Sequence, residues 1–169
     1  MKSGIDMKAD NKLSKIVKKV TYLPKGCHAS ALSLVFGSVI KFAGTSKVRV
    51  EKLDFSGSKL SLKNRKRVQN HIGGVHAAAM ALLGESATGF LIGMHVPDDR
   101  IPLLKNMNID YVRRAAGDLT AIATLSDEQI SHIRNTEKGD ISVPVVITDS
   151  KGNEPINAEF IWAWVPKKR

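Results

Sequence analysis

The 169-residue sequence predicts an α+β domain in which a curved antiparallel sheet wraps around one long buried helix. Three observations predict it. Residues 74–88 place Val75, Ala77, Ala78, Ala79, Met80, Ala81, Leu82, Leu83 and Ala87 around nearly the whole circumference of a helix. A helix without a polar face is buried on most sides. The segments that follow read as a long run of strands, not as alternating strands and helices. No G-x-G-x-x-G occurs, which argues against a dinucleotide-binding Rossmann domain.

Each element follows from its own pattern. Residues 12–20, KLSKIVKKV, put Leu13, Ile16, Val17 and Val20 on one helical face with lysines opposite, a face that docks on the domain or lies on a membrane. After Leu23 and Pro24, the apolar stretch Ala29–Phe42 reads as a second helix. Residues 1–44 thus form an N-terminal helical extension packed on a domain of residues 45–169. Val48–Phe55 alternates as a half-buried strand does, and Ser56-Gly57-Ser58 turns it into a second strand. Beyond the central helix, Gly89–Val96, Ile101–Arg113 and Asp118–Leu125 read as strands, with Ala115-Ala116-Gly117 as a turn. Ser126 and Gln129 form a capping-box signature for a short helix ending near Gly139. Ile141–Thr148 and Ile156–Val165 are the last strands, the first made irregular by Pro144 and the two joined by the turn 149–153.

Bulk properties narrow the function. A hydrophobic fraction of 43% suits a folded domain. No uncharged apolar run reaches the ~20 residues of a membrane span. The N-terminus lacks a signal-peptide core, and its Asp6 and Asp10 argue against an organelle presequence, so the expectation is a cytoplasmic protein. Cys27, the one cysteine, excludes a disulfide framework. The net charge of +10 is unevenly spread. Seven lysines against two aspartates give residues 1–25 a charge of +5, and nine basic against two acidic residues give 41–70 a charge of +7. Residues 71–169 carry ten basic and twelve acidic groups. Such a field attracts a polyanion: nucleic acid, an anionic membrane or a phosphate-bearing substrate. It is also what a solvated basic face looks like. No Tyr or Trp stands within the basic runs, so specific nucleic-acid recognition by stacking is not expected.

The chemistry concentrates where the chain enters the central helix, at Asn70-His71-Ile72-Gly73-Gly74-Val75-His76. Gly73 and Gly74 permit close approach and leave first-turn N–H groups uncovered, and the helix dipole favours negative charge there. In acyl transfer that charge is the oxyanion of a thioester carbonyl. Asn70 adds an amide that can hold a water or polarise the carbonyl, and His76 can shape this end or bond locally. The same residues also suit a plain helix cap. Glu85 lies deep in an apolar helix, where a carboxylate must find a partner, face a wet cavity or take a raised pKa. Carboxylates of the last kind are candidate general bases. His76 and Glu85, nine positions apart, are separated by about 13 Å along the helix. A twofold-related copy brings the two halves together more readily than one chain does, so a homodimer with composite sites is expected.

The pattern N-x-x-G-x-x-H with an acidic residue nine positions after the histidine resembles the hotdog-fold thioesterases of the phenylacetate-degradation and human thioesterase-superfamily type. Asn70, Gly73, His76 and Glu85 match it. Met107–Asp118 and Val145–Asp149 with Gly152 resemble that family's later strands and turns, so the resemblance spans about 45–165. It implies a hotdog fold and an acyl-CoA thioesterase. Glu85 would be general base or nucleophile, Asn70 would orient water or carbonyl, and the Ala77 N–H would be the main oxyanion donor. Alanines 77 and 78 stand where relatives carry glycine, and a Glu stands where Asp is more frequent. The Ser or Thr with which some relatives position water is not evident near Leu103-Leu104-Lys105.

The substrate expected is an acyl thioester of coenzyme A or of a carrier, with coenzyme A part of the substrate and no other cofactor. Arg65 and Arg67, with their neighbours Lys63 and Lys66, and Arg113 and Arg114 are candidates to meet its phosphates. His71 and His76 stand five apart with no third ligand, so no metal site is expected. Adjacent Cys27 and His28 do not make a dyad, and there is no G-x-S-x-G elbow. The alternative is a non-catalytic hotdog module that binds acyl-CoA. Assembly of dimers into tetramers is left open by the sequence.

Overall fold

The computed structural model describes residues 11–168. The first ten residues of the basic N-terminal segment, with Asp6 and Asp10, lie outside the described residues. Three helices come first: α1 (Lys12–Val20), α2 (His28–Val39) and α3 (Lys41–Ser46). Strands β1 (Arg49–Leu53) and β2 (Gly57–Leu62) precede the long helix α4 (Ala77–His95). Then follow β3 (Arg100–Tyr111), β4 (Leu119–Thr124), α5 (Asp127–Asn135), β5 (Gly139–Ser142), β6 (Val145–Asp149) and β7 (Ile156–Pro166).

All pairings are antiparallel, in the orders β1-β2-β4-β6 and β3-β7-β5. Residues 139–149 join the two sheets. The segment read as one strand from Ile141 to Thr148 is two, because Pro144 supplies no N–H to a ladder. β5 bonds β7, β6 bonds β4, and between them Val143 N–H donates to the Phe160 carbonyl while the Pro144 carbonyl accepts from Thr124 N–H. The result is one curved surface wrapped around α4, the hotdog arrangement, with extra helices at the N-terminal side.

α4 is the core. His76 caps its start, and Pro97 ends it by holding Val96 in extended backbone (φ −69°, ψ 123°). The helix therefore runs seven residues beyond the expected end, and Gly89–Val96 is not a strand. A short apolar run with glycines has no decisive period, so only the tertiary setting separates the two readings. The glycines are contact points. A Cβ on Gly84 would stand 2.5 Å from the Phe160 ring, and one on Gly89 would stand 2.6 Å from Trp162. Polar pins fix the rotation. Trp162 Nε1 donates to Thr88 Oγ1 (2.9 Å), Thr88 Oγ1 donates to the Gly84 carbonyl (2.9 Å), and Ser58 Oγ donates to the Ala87 carbonyl (2.7 Å). α4 has the length and hydropathy of a membrane span, yet 67% of it is buried within the domain.

The N-terminal helices differ from expectation in two ways. α1 docks on the domain through Val17 and Val20, but Ile16 stays exposed. The apolar stretch 29–42 breaks at Ile40 (φ −99°, ψ 85°) into α2 and α3, which cross where Gly37 and Gly44 allow backbone contact. α2 also shields the open edge of β1, since Ser33 Oγ accepts from Val50 N–H (2.9 Å).

The helix-to-sheet contact is tightest at Gly84. Gly84→Val trades a small helix-propensity gain for a collision with Phe160 and Ile147. It is expected to lower unfolding stability by about 2 kcal/mol in urea titration. An unchanged midpoint would mean that the helix is not seated as closely as described.

Candidate active site

The turn entering α4 is built by its own side chains. Asn70 N–H donates to the Gly74 carbonyl (2.8 Å), and Asn70 Oδ1 accepts from the N–H groups of Ile72 (3.1 Å) and Gly74 (3.0 Å). Gly73 takes the left-handed conformation (φ 77°) that the turn requires. His76 N–H donates to the Val68 carbonyl (2.8 Å), which ties the turn to the short 3-10 turn Lys66–Val68 that follows β2. Asn70 is thus first the keystone of this turn, and its Nδ2 has no acceptor among the described residues.

His76 is the N-cap, outside the helix proper. Its Nδ1 accepts from Ala78 N–H (3.1 Å), so that nitrogen carries no proton and the neutral ring is protonated at Nε2. The Ala77 N–H, at the first helical position, has no acceptor among the described residues. One donor at the positive end of a nineteen-residue helix is therefore open.

Glu85 lies two turns further, about 12 Å along the axis from Ala77. The sheet leaves one stripe of α4 uncovered: Ala77 and Ala78 are exposed, and Ala81, Glu85 and Gly89 are half-buried. Glu85 opens on a cavity of about 160 Å³ lined by Ile40, Ser86, Gly89, Phe90, Pro102 and Trp162. No hydrogen bond or ion pair to its carboxylate is formed among the described residues, and burial raises its pKa above the ordinary 4.5. Two neighbours went unnoticed in the sequence. Ser86, buried, adds a hydroxyl to the same cavity, and Tyr111 at the end of β3 donates to the Ala77 carbonyl (3.1 Å). Ser86 could have been found by asking which polar residues flank Glu85; Tyr111 is known only from the fold.

The arginines separate. Arg114 Nη2 donates to the Ile72 carbonyl (3.2 Å) and lines a polar groove of about 390 Å³ with Asn64, Gly73, Gly74, Gly117 and Lys151. Asn64 Nδ2 holds the Gly73 carbonyl (3.0 Å). Asp149 knits the groove's two turns together, accepting from the N–H groups of Ala116, Lys151 and Asn153. Arg113 turns instead to Asn153 (3.4 Å). Arg65 lines a second groove with Lys47 and Arg49, and Arg67 donates to the Thr45 carbonyl (3.1 Å). Of the four arginines only Arg114 stands at the glycine turn. No cluster of three metal-ligating side chains occurs among the described residues.

Residues 28–165, from α2 to the end of β7, match the family described as "Domain of unknown function (DUF4442)". No curated protein matches the chain. A Pseudomonas aeruginosa protein of unknown function, described as a "probable thioesterase", is 25% identical, with a TM-score of 0.72 over 86% of this chain and 97% of that one. A thioesterase variant from Staphylococcus aureus (20% identical, TM-score 0.62, 75% of this chain and 99% of that one) shares the fold. So does a Haemophilus influenzae thioesterase (11% identical, TM-score 0.59, 74% of this chain and 82% of that one).

The raised pKa of Glu85 has a consequence for stability. In the interval above 4.5 the folded protein keeps a proton that the unfolded chain releases. Stability is therefore full below that interval and falls as pH rises through the raised folded value. Glu85→Gln, which never ionises, is expected to gain stability relative to wild type from acid to neutral pH in urea titrations. A wild-type-to-variant difference that stays flat with pH would contradict this.

Proposed function

The chain belongs to the DUF4442 family and has the hotdog fold of the thioesterase superfamily, and on that footing we propose that it hydrolyses an acyl thioester of coenzyme A or of an acyl carrier. The observation that carries the reading is Glu85: a half-buried, unpaired carboxylate of raised pKa at a cavity on the uncovered face of the central helix. In the proposed reaction Glu85 accepts a proton from a water that attacks the thioester carbonyl, and Ser86 Oγ steadies that water. The oxyanion accepts from Ala77 N–H. Collapse of the tetrahedral adduct expels the thiolate, which takes the proton back from Glu85, leaving acid and thiol. Arg114 and Lys151 attract the phosphates of the thiol carrier at the polar groove.

The 12 Å between Ala77 and Glu85 makes one chain's helix too long for one scissile carbonyl. We propose a homodimer in which Glu85 of one copy faces Ala77 of the other. The surface that suits it is β3, a twelve-residue edge strand bonded, among the described residues, to β7 along one side, with Leu103, Met107 and Tyr111 exposed. A long unpaired edge with exposed apolar side chains favours pairing with another chain. A second reading, an acyl-CoA-binding module without turnover, is favoured by the Cβ atoms of Ala77 and Ala78, which narrow the approach to the donor. Tight acyl-CoA binding with no hydrolysis would select it.

Two variants test the mechanism and the composite site together. Glu85→Gln is expected to lower kcat by about 10²–10⁴-fold and to abolish the acid limb of the pH–rate profile. Ala77→Pro removes the open N–H at a position that tolerates proline, since His76 already has the extended backbone (φ −64°, ψ 143°) a following proline imposes. A loss of about 10²–10³-fold in kcat is expected. Mixing the two variants and allowing subunit exchange is expected to restore about a quarter of wild-type activity, because half of the dimers then hold one intact site. Absence of any rescue, despite demonstrated exchange, would place each site within a single chain.

A further inference from the structure

The Glu85 cavity does not end at the helix. α2 is clamped to α4 by Phe36 against Phe90, ring centroids 4.1 Å apart and planes tilted by 35°. One turn later the chain breaks at Ile40 and reverses, and the Gly37–Gly44 crossing holds the corner in place. Ile40 is thereby set in the cavity wall with Phe90, Pro102 and Trp162. Its neighbours along the corner are left in water, Val39 at 71% and Phe42 at 61% exposed. An apolar cavity thus runs out, through one side chain belonging to both, onto an apolar surface.

Size decides what this continuity is for. At about 160 Å³ the cavity falls well short of the roughly 300–1,000 Å³ that encloses a drug-sized ligand. A short acyl group fits within it; a long one must leave. The way out past Ile40 offers hydrocarbon to hydrocarbon, and Lys41 at the corner can lay its stem beside a chain while its ammonium stays in water.

We propose that the corner Val39–Phe42 is the acyl-tail subsite and that the substrates are long-chain acyl thioesters, the carbonyl at Glu85 and the tail crossing Ile40 onto Val39 and Phe42. This rests on the thioester-hydrolase reading. Each methylene buried there strengthens binding about fourfold, so a few suffice to set chain-length preference.

The experiment compares wild type with Val39→Asp and Phe42→Asp on acetyl-, hexanoyl-, decanoyl- and palmitoyl-CoA, and measures affinity for the matching S-alkyl thioether analogues, which are not hydrolysed. Both substitutions are at exposed positions, and circular dichroism checks that the fold persists. Wild type is expected to favour the long chains, with the long-to-short ratio of kcat/KM and of affinity falling at least tenfold in both variants. The proposal is overturned by a wild-type preference for short chains, by variants that leave that ratio unchanged, by analogues that do not bind, or by variants that change the sedimenting mass, which would make the corner a contact between copies. If wild type hydrolyses nothing, or Glu85→Gln is fully active, the hydrolase reading fails on its own, and the thioether affinities still decide the subsite.

Discussion

The closeness of the central helix to the sheet is the constraint on which the rest of the molecule depends. Gly84 and Gly89 let the rings of Phe160 and Trp162 lie almost on the α4 backbone, and the Trp162–Thr88 bond fixes which side of the helix faces them. That choice determines what is left uncovered. With Leu83, Ala87, Leu91 and Ile92 fully buried, the remaining stripe is Ala77, Ala81, Glu85 and Gly89. A rotation by one residue, about 100° for an α-helix, would bury the carboxylate or turn it to bulk water. The candidate site is therefore a by-product of core packing, in the sense that the same small residues that admit the sheet leave a shallow uncovered face.

The polar turn before α4 is equally determined by local chemistry. A chain that leaves β2 and must enter the helix has several backbone groups to satisfy within a few residues. Asn70 accepts two of the N–H groups, Gly73 supplies the left-handed residue, and His76 takes the N–H of Ala78. These bonds consume most of the hydrogen-bonding capacity that a reading of the motif assigns to catalysis. Among the described residues Asn70 Nδ2, His76 Nε2 and the Ala77 N–H are left without a partner, and all three are donors. A cluster of donors at a helix N-terminus favours negative charge, and on the proposed mechanism the proton-accepting group comes from elsewhere.

Legibility in the sequence follows the same physics. The central helix was visible because an all-round apolar pattern belongs to a helix buried on every side, and the turn was visible because Gly-Gly beside Asn and His is unusual before such a helix. The end of α4 was not. Gly89–His95 is apolar and glycine-spaced in a way that suits either period, and the contacts that decide it, Trp162 on Gly89 and Leu13 on Gly93, lie far away in sequence. The break at Ile40 was hidden for a similar reason: Gly37 and Gly44 read as neutral interruptions until their backbones are seen to touch. Pro144 did announce an irregularity, but not that the strand changes sheets there. Charge was the least legible quantity. Arg65 and Arg67, and Arg113 and Arg114, look along the chain like two pairs for one ligand, yet each of the four goes to a different partner or groove, because side-chain charge carries no register of its own.

An acyl thioester of coenzyme A is amphiphilic, with an apolar tail on one side of the carbonyl and a polyanionic carrier on the other. On the proposed reading each part would have its own surface, at different ends of α4: the Ile40–Phe90–Trp162 cavity beside Glu85, and the Arg114–Lys151 groove beside the glycine turn. Within one copy these are two helical turns apart, too far for the carbonyl of one substrate to meet both the carboxylate and the open N–H. Two copies laid antiparallel along the uncovered stripe would bring unlike ends together twice. Small residues at 77, 81 and 89 permit such an approach, where larger ones would hold the copies apart. On this view the alanines that replace the usual glycines are tolerable because they lie on a face that must remain shallow, and a glutamate reaches one methylene further across the gap than an aspartate would.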